Sequence, residues 1–176
     1  MSLGLYLHIP YCFSKCRYCD FYSHPGERGV PEAYVDALLR ELSRFAPEAP
    51  LQPDTLYFGG GTPSLLRPEQ AKRLIDAARP MPGAEITLEA NPETVTEESL
   101  AGFREAGVNR ISFGVQSARD TQLRTLGRPH TAKQARAAFA AARRAGFTNI
   151  SGDIMLALPH YTEAEFDETL ELIEGG

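Results

Sequence analysis

Cys12-Phe13-Ser14-Lys15-Cys16-Arg17-Tyr18-Cys19 contains every cysteine of this 176-residue chain. The C-x3-C-x2-C spacing allows one loop to direct three thiolates to a single point. Three thiolates fill three corners of a cubane [4Fe–4S] cluster, which usually has four cysteine ligands. Because the chain has no fourth cysteine, one iron would stay open to an outside ligand. The spacing therefore predicts a reactive cluster rather than a plain electron relay.

A structural zinc site is the competing interpretation of the same cysteines. Together with His8 or His24 they would supply a Cys3His ligand set. Zinc ligands usually come as two separated pairs that close a loop, whereas these cysteines form one short run. The odd number and close spacing of the cysteines disfavour disulfides. The cysteine run alone favours the cluster and leaves zinc open.

The composition disfavours several classes of function. The chain is long enough for one domain with a substantial core. Its 18 basic and 23 acidic side chains are evenly mixed, with a formal net charge of −5, which disfavours a nucleic-acid-binding surface. No segment has the pattern of a signal peptide or the roughly 20 apolar residues of a membrane span. With reduced cysteines, these features predict a cytoplasmic protein.

Hydrophobic periodicity predicts five units of strand followed by helix. The predicted strands cover residues 3–9, 55–58, 85–90, 110–116 and 149–158. The predicted helices cover residues 32–45 and about 96–106, and others begin at Pro68, after Thr131 and after Thr162. This order favours a parallel sheet, and a weak repeat of residues 106–112 at 145–151 favours a barrel. We therefore expect an α/β fold, a partial (β/α) barrel.

Polar residues occur where several of the predicted strands end. The second strand runs into Gly59-Gly60-Gly61-Thr62, where bare backbone can approach a ligand closely. Glu89, Gln116 and Asp153 lie near the ends of the next three strands. The carboxyl ends of parallel strands meet at one edge of a sheet, where active sites of such folds gather. One shared polar ligand would satisfy all of these groups, so we expect a common site.

Four further motifs resemble those of one protein family. The cysteine spacing is the signature of the radical S-adenosylmethionine (SAM) superfamily, in which the open iron binds the amino and carboxylate groups of SAM. The other motifs are similar to those of the oxygen-independent coproporphyrinogen III oxidases and their relatives, the HemW-type haem chaperones. They are Tyr6-Leu7-His8-Ile9-Pro10, Gly59-Gly60-Gly61-Thr62-Pro63, Ser112-Phe113-Gly114-Val115-Gln116 and Leu126-Gly127-Arg128-Pro129-His130. The resemblance covers almost the whole chain.

The resemblance implies a set of cofactors and of residues that hold them. A [4Fe–4S] cluster is expected on Cys12, Cys16 and Cys19, with SAM at its open iron. The methionyl part of SAM is expected beside Tyr6, and Tyr18 is expected to flank the adenine. The backbone and hydroxyl of three further residues are implied to hold the methionyl end: Gly60, Gly61 and Thr62. The remaining implied contacts of the SAM pocket are Glu89, Gln116, Arg128 and Asp153.

The resemblance also favours one branch of the family. In the oxidases a further cysteine follows the third ligand by two residues, and Phe21 stands at that position here. Phe21 and the Leu-Gly-Arg-x-His run resemble the haem-chaperone branch, whose members are thought to bind haem and pass it to acceptor proteins. The implied partners are SAM, haem or a porphyrinogen, a haem-acceptor protein and an electron donor such as a flavodoxin. Membrane contact would occur only through an acceptor. The alternative is an oxidase that decarboxylates coproporphyrinogen III, and we disfavour that activity.

The chain departs from the family pattern in two places. Ala157 stands where the family has a glycine, and His160-Tyr161 replaces a Gly-Gln pair after Pro159. The resemblance implies a sixth strand and a C-terminal domain with a haem-linked motif, so we interpret residues 1–176 as a radical SAM core truncated before them. Haem as a cofactor is expected to need that C-terminal part. We expect an uncovered apolar barrel interior and hence self-association. Among the histidines, His8 is expected in the core, and His24, His130 and His160 are expected in solvent.

Overall fold

The fold is given by a computed structural model, which describes residues 3–45, 51–158 and 161–175. The strands are β1 (Gly4–Ile9), β2 (Tyr11–Cys12), β3 (His24–Pro25), β4 (Thr55–Gly60), β5 (Glu85–Ala90), β6 (Arg110–Gln116) and β7 (Asn149–Ile154). The helices are α1 (Glu32–Phe45), α2 (Pro68–Ala78), α3 (Glu97–Ala106), α4 (Asp120–Leu126), α5 (Ala132–Arg144) and α6 (Glu163–Glu174). Short 3-10 turns follow β4 at Pro63–Leu65 and β5 at Pro92–Thr94.

Five strands form one parallel sheet in the order β1-β4-β5-β6-β7. Each strand lies beside the next one along the chain, as expected for successive strand–helix units. The predicted α/β fold is therefore confirmed. Within the described residues β1 and β7 are the two edges of an open sheet. The expected sixth unit and further domain stay predictions, as does closure into a barrel.

The two faces of this sheet differ in chemistry because its strands alternate apolar and polar residues. Leu56, Leu88 and Ile111 lie on one face, where they belong to a buried core with residues of α1, α2, α3, α5 and α6. Register places Tyr57 beside Thr87, and Glu89 beside Ser112, on the other face. Within the described residues these five helices therefore pack against one face of the sheet.

The face opposite the helices is polar, which contradicts the expected apolar interior. Its groups are hydrogen-bonded to each other between the two strands β6 and β7. The guanidinium of Arg110 donates to Ser151 Oγ at 3.0 Å, and Ser151 donates to Ser112 Oγ at 2.9 Å. Ser112 in turn donates to Asp153 Oδ1 at 3.3 Å. The expectation of an uncovered apolar interior was wrong because polar residues also occupy alternate positions along the strands, where together they form this face.

Most element boundaries match the predictions to within about two residues, with two larger differences besides the unpredicted short strands β2 and β3. The last strand ends at Ile154 rather than at residue 158. Ala157, the position where the family has glycine, has a φ of 55° in the left-handed region that favours glycine. The second difference is α4, a seven-residue helix that was not predicted. Pro159 and His160 lie outside the described residues.

The predicted helix starts at Thr131 and Thr162 are confirmed. Each hydroxyl accepts a hydrogen bond from the backbone N–H three residues later, and the side chain of that residue, Gln134 or Glu165, accepts one in return. No helix within the described ranges has both the length and the apolar character needed to cross a membrane.

Candidate functional site

A cleft lies at the carboxyl ends of the parallel strands, beside the loop that carries the cysteines. It is lined by residues of the cysteine loop and by the ends of β4, β5, β6 and β7. Eleven of the twelve predicted site residues line it: Cys12, Cys16, Tyr18, Cys19, Gly60, Gly61, Thr62, Glu89, Gln116, Arg128 and Asp153. The fold therefore brings together groups that are far apart in the sequence.

Backbone hydrogen bonds hold the cysteine loop against the rest of the fold. Its base is a short parallel ladder in which β2 pairs with β3. The N–H of Glu27 donates to the carbonyl of Cys12 at 3.0 Å. The middle of the loop docks on the end of α4, because the N–H of Arg17 donates to the carbonyl of Leu126 at 2.9 Å. The unpredicted helix α4 thus supports the cysteine loop.

The three thiols are free and differ in environment. Cys12 is buried, whereas Cys16 and Cys19 are half-buried. Burial raises the pKa of the Cys12 thiol, and hydrogen bonds from Thr62 and Ser23 act in the opposite direction. Within the described residues no three His, Cys, Asp or Glu side chains converge closely enough to hold a single metal ion. A cluster differs from zinc in this respect, since each thiolate binds its own iron.

His8, one of the two candidate zinc ligands, has other partners for both ring nitrogens. Its Nε2 lies 2.9 Å from the carbonyl oxygen of Tyr22, so this nitrogen donates. Its Nδ1 lies 3.3 Å from the hydroxyl of Tyr6. The other candidate, His24, is exposed in the β2–β3 ladder. These contacts favour a positioning role for His8 over zinc ligation.

The glycines after β4 permit an unusually close approach of the two chain segments. A Cβ on Gly61 would lie 2.7 Å from the carbonyl oxygen of Tyr11 and 3.1 Å from Cys12 Sγ. A Cβ on Gly60 would lie 2.7 Å from the His8 ring, and Gly60 also has a φ of 118°. No other residue fits here without movement, so the glycines hold the β4 end directly against the cysteine loop.

Glu89 lies in the floor of the cleft with two hydrogen-bond donors. The hydroxyl of Tyr57 donates to one carboxylate oxygen at 2.8 Å, and the N–H of Gly60 donates to the other at 3.2 Å. Burial raises the pKa of Glu89, these two hydrogen bonds act against that shift, and nearby Asp153 raises it further. Tyr6 stacks on Tyr57 with ring centroids 6.0 Å apart and lies outside the lining of the cleft.

Gln116 and Asp153 are placed by an irregularity between the last two strands. The pairing register shifts between Gly114 and Gln116, and Gln116 has a left-handed φ of 67°. Such a bulge redirects a side chain at the end of a strand. Both residues reach the cleft, and the ligand contacts expected of them stay predictions.

Arg128 is the main buried cation of the site. One of its terminal nitrogens donates to Asn91 Oδ1 at 2.7 Å and to the carbonyl of Gly114. The other lies 3.5 Å from Cys16 Sγ. Its Nε is buried and has no hydrogen-bond partner among the described residues. Burial also raises the pKa of the neighbouring Tyr18 to about 12, although the charge of Arg128 acts in the opposite direction.

Two residues of this region escaped prediction. Asn91 directly follows the strand predicted over residues 85–90 and was given no role, yet it lines the cleft between Thr62 and Arg128. His130 was expected in solvent, and this is wrong: its side chain is fully buried. Its Nε2 donates to the carbonyl of Val115 at 3.1 Å, and its Nδ1 lies 3.3 Å from a Glu93 carboxylate oxygen. The only sequence signal was proximity to Arg128 in one motif.

Four observations test whether a cluster with SAM fits these residues. The donor set is three thiols around one cleft, which suits iron–sulfur ligation. Bare glycine backbone lies beside Cys12, and the buried Nε of Arg128 lacks a partner. Two carboxyl groups, Glu89 and Asp153, also line the cleft, where they would face the cationic sulfonium and ammonium of SAM. The residues present fit both groups.

Comparisons with known proteins agree with this geometry. A family model described as the radical SAM superfamily matches residues 6–173. "Heme chaperone HemW" of Haemophilus influenzae is 39% identical over 183 residues, covering 98% of this chain and 48% of the relative. "Heme chaperone HemW" of Escherichia coli is 43% identical over 163 residues, covering 89% of this chain and 43% of the relative.

The solved structures include a close match in fold. Coproporphyrinogen III oxidase (HemN) from Escherichia coli, a radical SAM enzyme, matches with a TM-score of 0.85 and 32% sequence identity. The match covers 97% of this chain and 41% of that chain. This chain spans less than half the length of each of these three relatives. Because the superfamily model matches nearly all of its residues, the chain belongs to the radical SAM superfamily.

Proposed function

We propose that Cys12, Cys16 and Cys19 hold a [4Fe–4S] cluster and that SAM occupies the adjoining cleft. The observation that carries the proposal is that three thiols and the polar ends of four strands line one cleft. When bound, a reduced cluster supplies the electron that splits the sulfonium of SAM into methionine and a 5′-deoxyadenosyl radical. The superfamily membership supports both cofactors.

In this proposal the chain binds and orients SAM through charge and bare backbone. Glu89 and Asp153 offset the positive charges of SAM, and the two hydrogen bonds to Glu89 keep its carboxylate in place. Gly60 and Gly61 allow the methionyl end to lie against the backbone beside Cys12. Tyrosine is uncharged at neutral pH, so Tyr18 would place a neutral aromatic ring beside the adenine.

We further propose that the protein works as a haem chaperone of the HemW type. The support is the identity of about 40% with proteins of that name over most of the chain. Phe21, which stands where the oxidases are expected to carry a cysteine, lies on the cleft with 69% of its surface exposed. The alternative is an oxygen-independent coproporphyrinogen III oxidase, which the structural likeness to HemN supports only as a related family.

Anaerobic reconstitution with iron and sulfide tests the cluster. We expect about four irons and four sulfides per chain, and a change in the EPR spectrum of the reduced cluster when SAM is added. Cys19→Ser removes one proposed ligand and should lower iron uptake, while Ser43→Ala on α1, far along the chain from the cysteine loop, serves as the control. Stoichiometric zinc without iron absorption would overturn the cluster assignment.

The branch is tested with this chain and full-length Escherichia coli HemW as the positive control. Each is incubated anaerobically with reductant, SAM and either haem or coproporphyrinogen III. The chaperone proposal predicts about one haem per chain for the full-length protein, as for a single specific site, and no protoporphyrinogen from either protein. For residues 1–176 themselves we expect cluster binding but little or no haem transfer. Protoporphyrinogen formed over many turnovers would assign the chain to the oxidases instead.

A further inference from the structure

A continuous chain of hydrogen bonds connects two of the three cysteine sulfurs through three residues that we name the sulfur bridge: Thr62, Asn91 and Arg128. Thr62 Oγ1 lies 3.2 Å from Cys12 Sγ. Asn91 Nδ2 donates to Thr62 Oγ1 at 3.1 Å, and Asn91 Oδ1 accepts from Arg128 at 2.7 Å. The other terminal nitrogen of Arg128 lies 3.5 Å from Cys16 Sγ.

The chemistry of these groups fixes the direction of every bond in the sulfur bridge. Arg128 has only donors, so the atom of Asn91 that faces it must be the amide oxygen. The amide nitrogen of Asn91 then faces Thr62 and donates to its oxygen. The hydroxyl of Thr62 keeps its own hydrogen for Cys12, which as a thiolate can only accept. Both ends of the bridge therefore present a donor to a cysteine sulfur.

We propose that Asn91 is a positioning residue that aims these two donors at the cluster ligands. It contacts neither sulfur itself, and it acts by holding Thr62 toward Cys12 and Arg128 toward Cys16. The proposal rests on the proposed cluster at the three cysteines. It goes beyond that assignment because it gives a role to a residue for which the sequence suggested none.

The expected consequence concerns the reduction potential of the cluster. Reduction adds negative charge, and donors that point at the ligand sulfurs stabilise the more negative state. Burial strengthens this effect, since the local dielectric is low around Cys12 and Arg128. Loss of Asn91 should therefore make the cluster harder to reduce, even where all three cysteines still bind iron.

The experiment compares two asparagines whose side chains each make two hydrogen bonds beside the sheet. Asn91→Ala breaks the bridge. Asn109→Ala is the matched control, because Asn109 binds Ile86 N–H and the Ala84 carbonyl, each at 2.8 Å, at the opposite end of the strands. Reconstituted proteins are titrated with reductant and followed by EPR. At the potential that reduces half of the wild-type cluster, we expect less than half of the Asn91→Ala cluster to be reduced and no change in Asn109→Ala.

A second variant covers the case in which Asn91→Ala folds or loads poorly. Thr62→Val has nearly the same shape, removes the donor to Cys12 and should shift the potential in the same direction. Adding Asn91→Ala to the Thr62→Val protein should shift the reduction potential less than Asn91→Ala shifts it in the wild type, because both changes act on one chain of hydrogen bonds. A merely structural role of Asn91 would not produce this coupling.

Iron content distinguishes failure of the sulfur bridge from failure of the proposed cluster. An unchanged potential in Asn91→Ala or Thr62→Val, at the iron content of the wild type, overturns the role of the sulfur bridge and leaves the cluster intact. If the wild type itself takes up no iron–sulfur cluster, the proposed function fails and the bridge with it.

Discussion

Replacing Gly61 by alanine should force the end of β4 away from the cysteine loop. The added Cβ would lie 2.7 Å from the carbonyl oxygen of Tyr11, and 3.1 Å from both the carbonyl oxygen of Ile9 and Cys12 Sγ. Two of these atoms belong to backbone, which cannot rotate away as a flexible side chain can. The end of β4 and the cysteine loop must therefore move apart by several tenths of an ångström.

Overpacking of this kind costs about 1–3 kcal/mol of unfolding free energy, or roughly 2–12 °C in the melting temperature of a chain of this size. Thermal unfolding of the cluster-free protein, followed by circular dichroism, measures the shift. Iron content after reconstitution should fall as well, because Cys12 moves with the loop. Gly29→Ala is the control: a Cβ there meets its nearest atom, the Leu65 carbonyl oxygen, only at 4.0 Å. Equal melting temperatures and iron contents in the two variants would refute the argument.

Two further predictions concern stability. Ala157→Gly should raise the free energy of unfolding by about 0.5–1 kcal/mol. Relief of the left-handed backbone strain at this position, about 1–2 kcal/mol, outweighs the added flexibility of the unfolded chain. A loss of stability in urea unfolding would contradict this. For Glu89 the folded pKa is raised, chiefly by burial, so its contribution to stability falls as pH rises from the unfolded value through the folded one. The Glu89→Gln variant has no carboxyl group at this position, so its stability does not fall with pH for this reason. Its stability relative to wild type, measured by urea unfolding, should therefore increase from pH 4 to pH 7, and a decrease would contradict the assigned cause.

Much of the site was predictable because parallel strands place their ends together. Glu89 and Asp153 are distant in sequence, yet each lies near the end of a strand, and alternation with apolar neighbours made both strands visible. Asn91 was harder to identify because an Asn-Pro pair is a common way to end a strand. Its role depends on the positions of Thr62 and Arg128, which only the folded chain brings into contact.

Two other features were missed for different physical reasons. Helix α4 has seven residues, of which only Leu123 and Leu126 are buried, so it shows less than the full apolar stripe of a longer helix. His130 was interpreted from its predicted loop, but its burial depends on the carbonyl of Val115 and on Glu93. The polar sheet face, by contrast, was readable. Arg110-Ile-Ser112-Phe-Gly-Val-Gln116 alternates polar or small residues with apolar ones throughout.

The polar sheet face has a thermodynamic consequence for whatever settles on it. Any ligand or polypeptide that covers Tyr57, Arg110 or Asp153 displaces water from hydroxyl, guanidinium and carboxylate groups rather than from hydrocarbon. Burial of apolar surface is what gives association its large negative heat-capacity change. Binding at this face should therefore show a small heat-capacity change, a heat release from newly formed hydrogen bonds, and an affinity that falls with salt where Arg110 or Asp153 takes part.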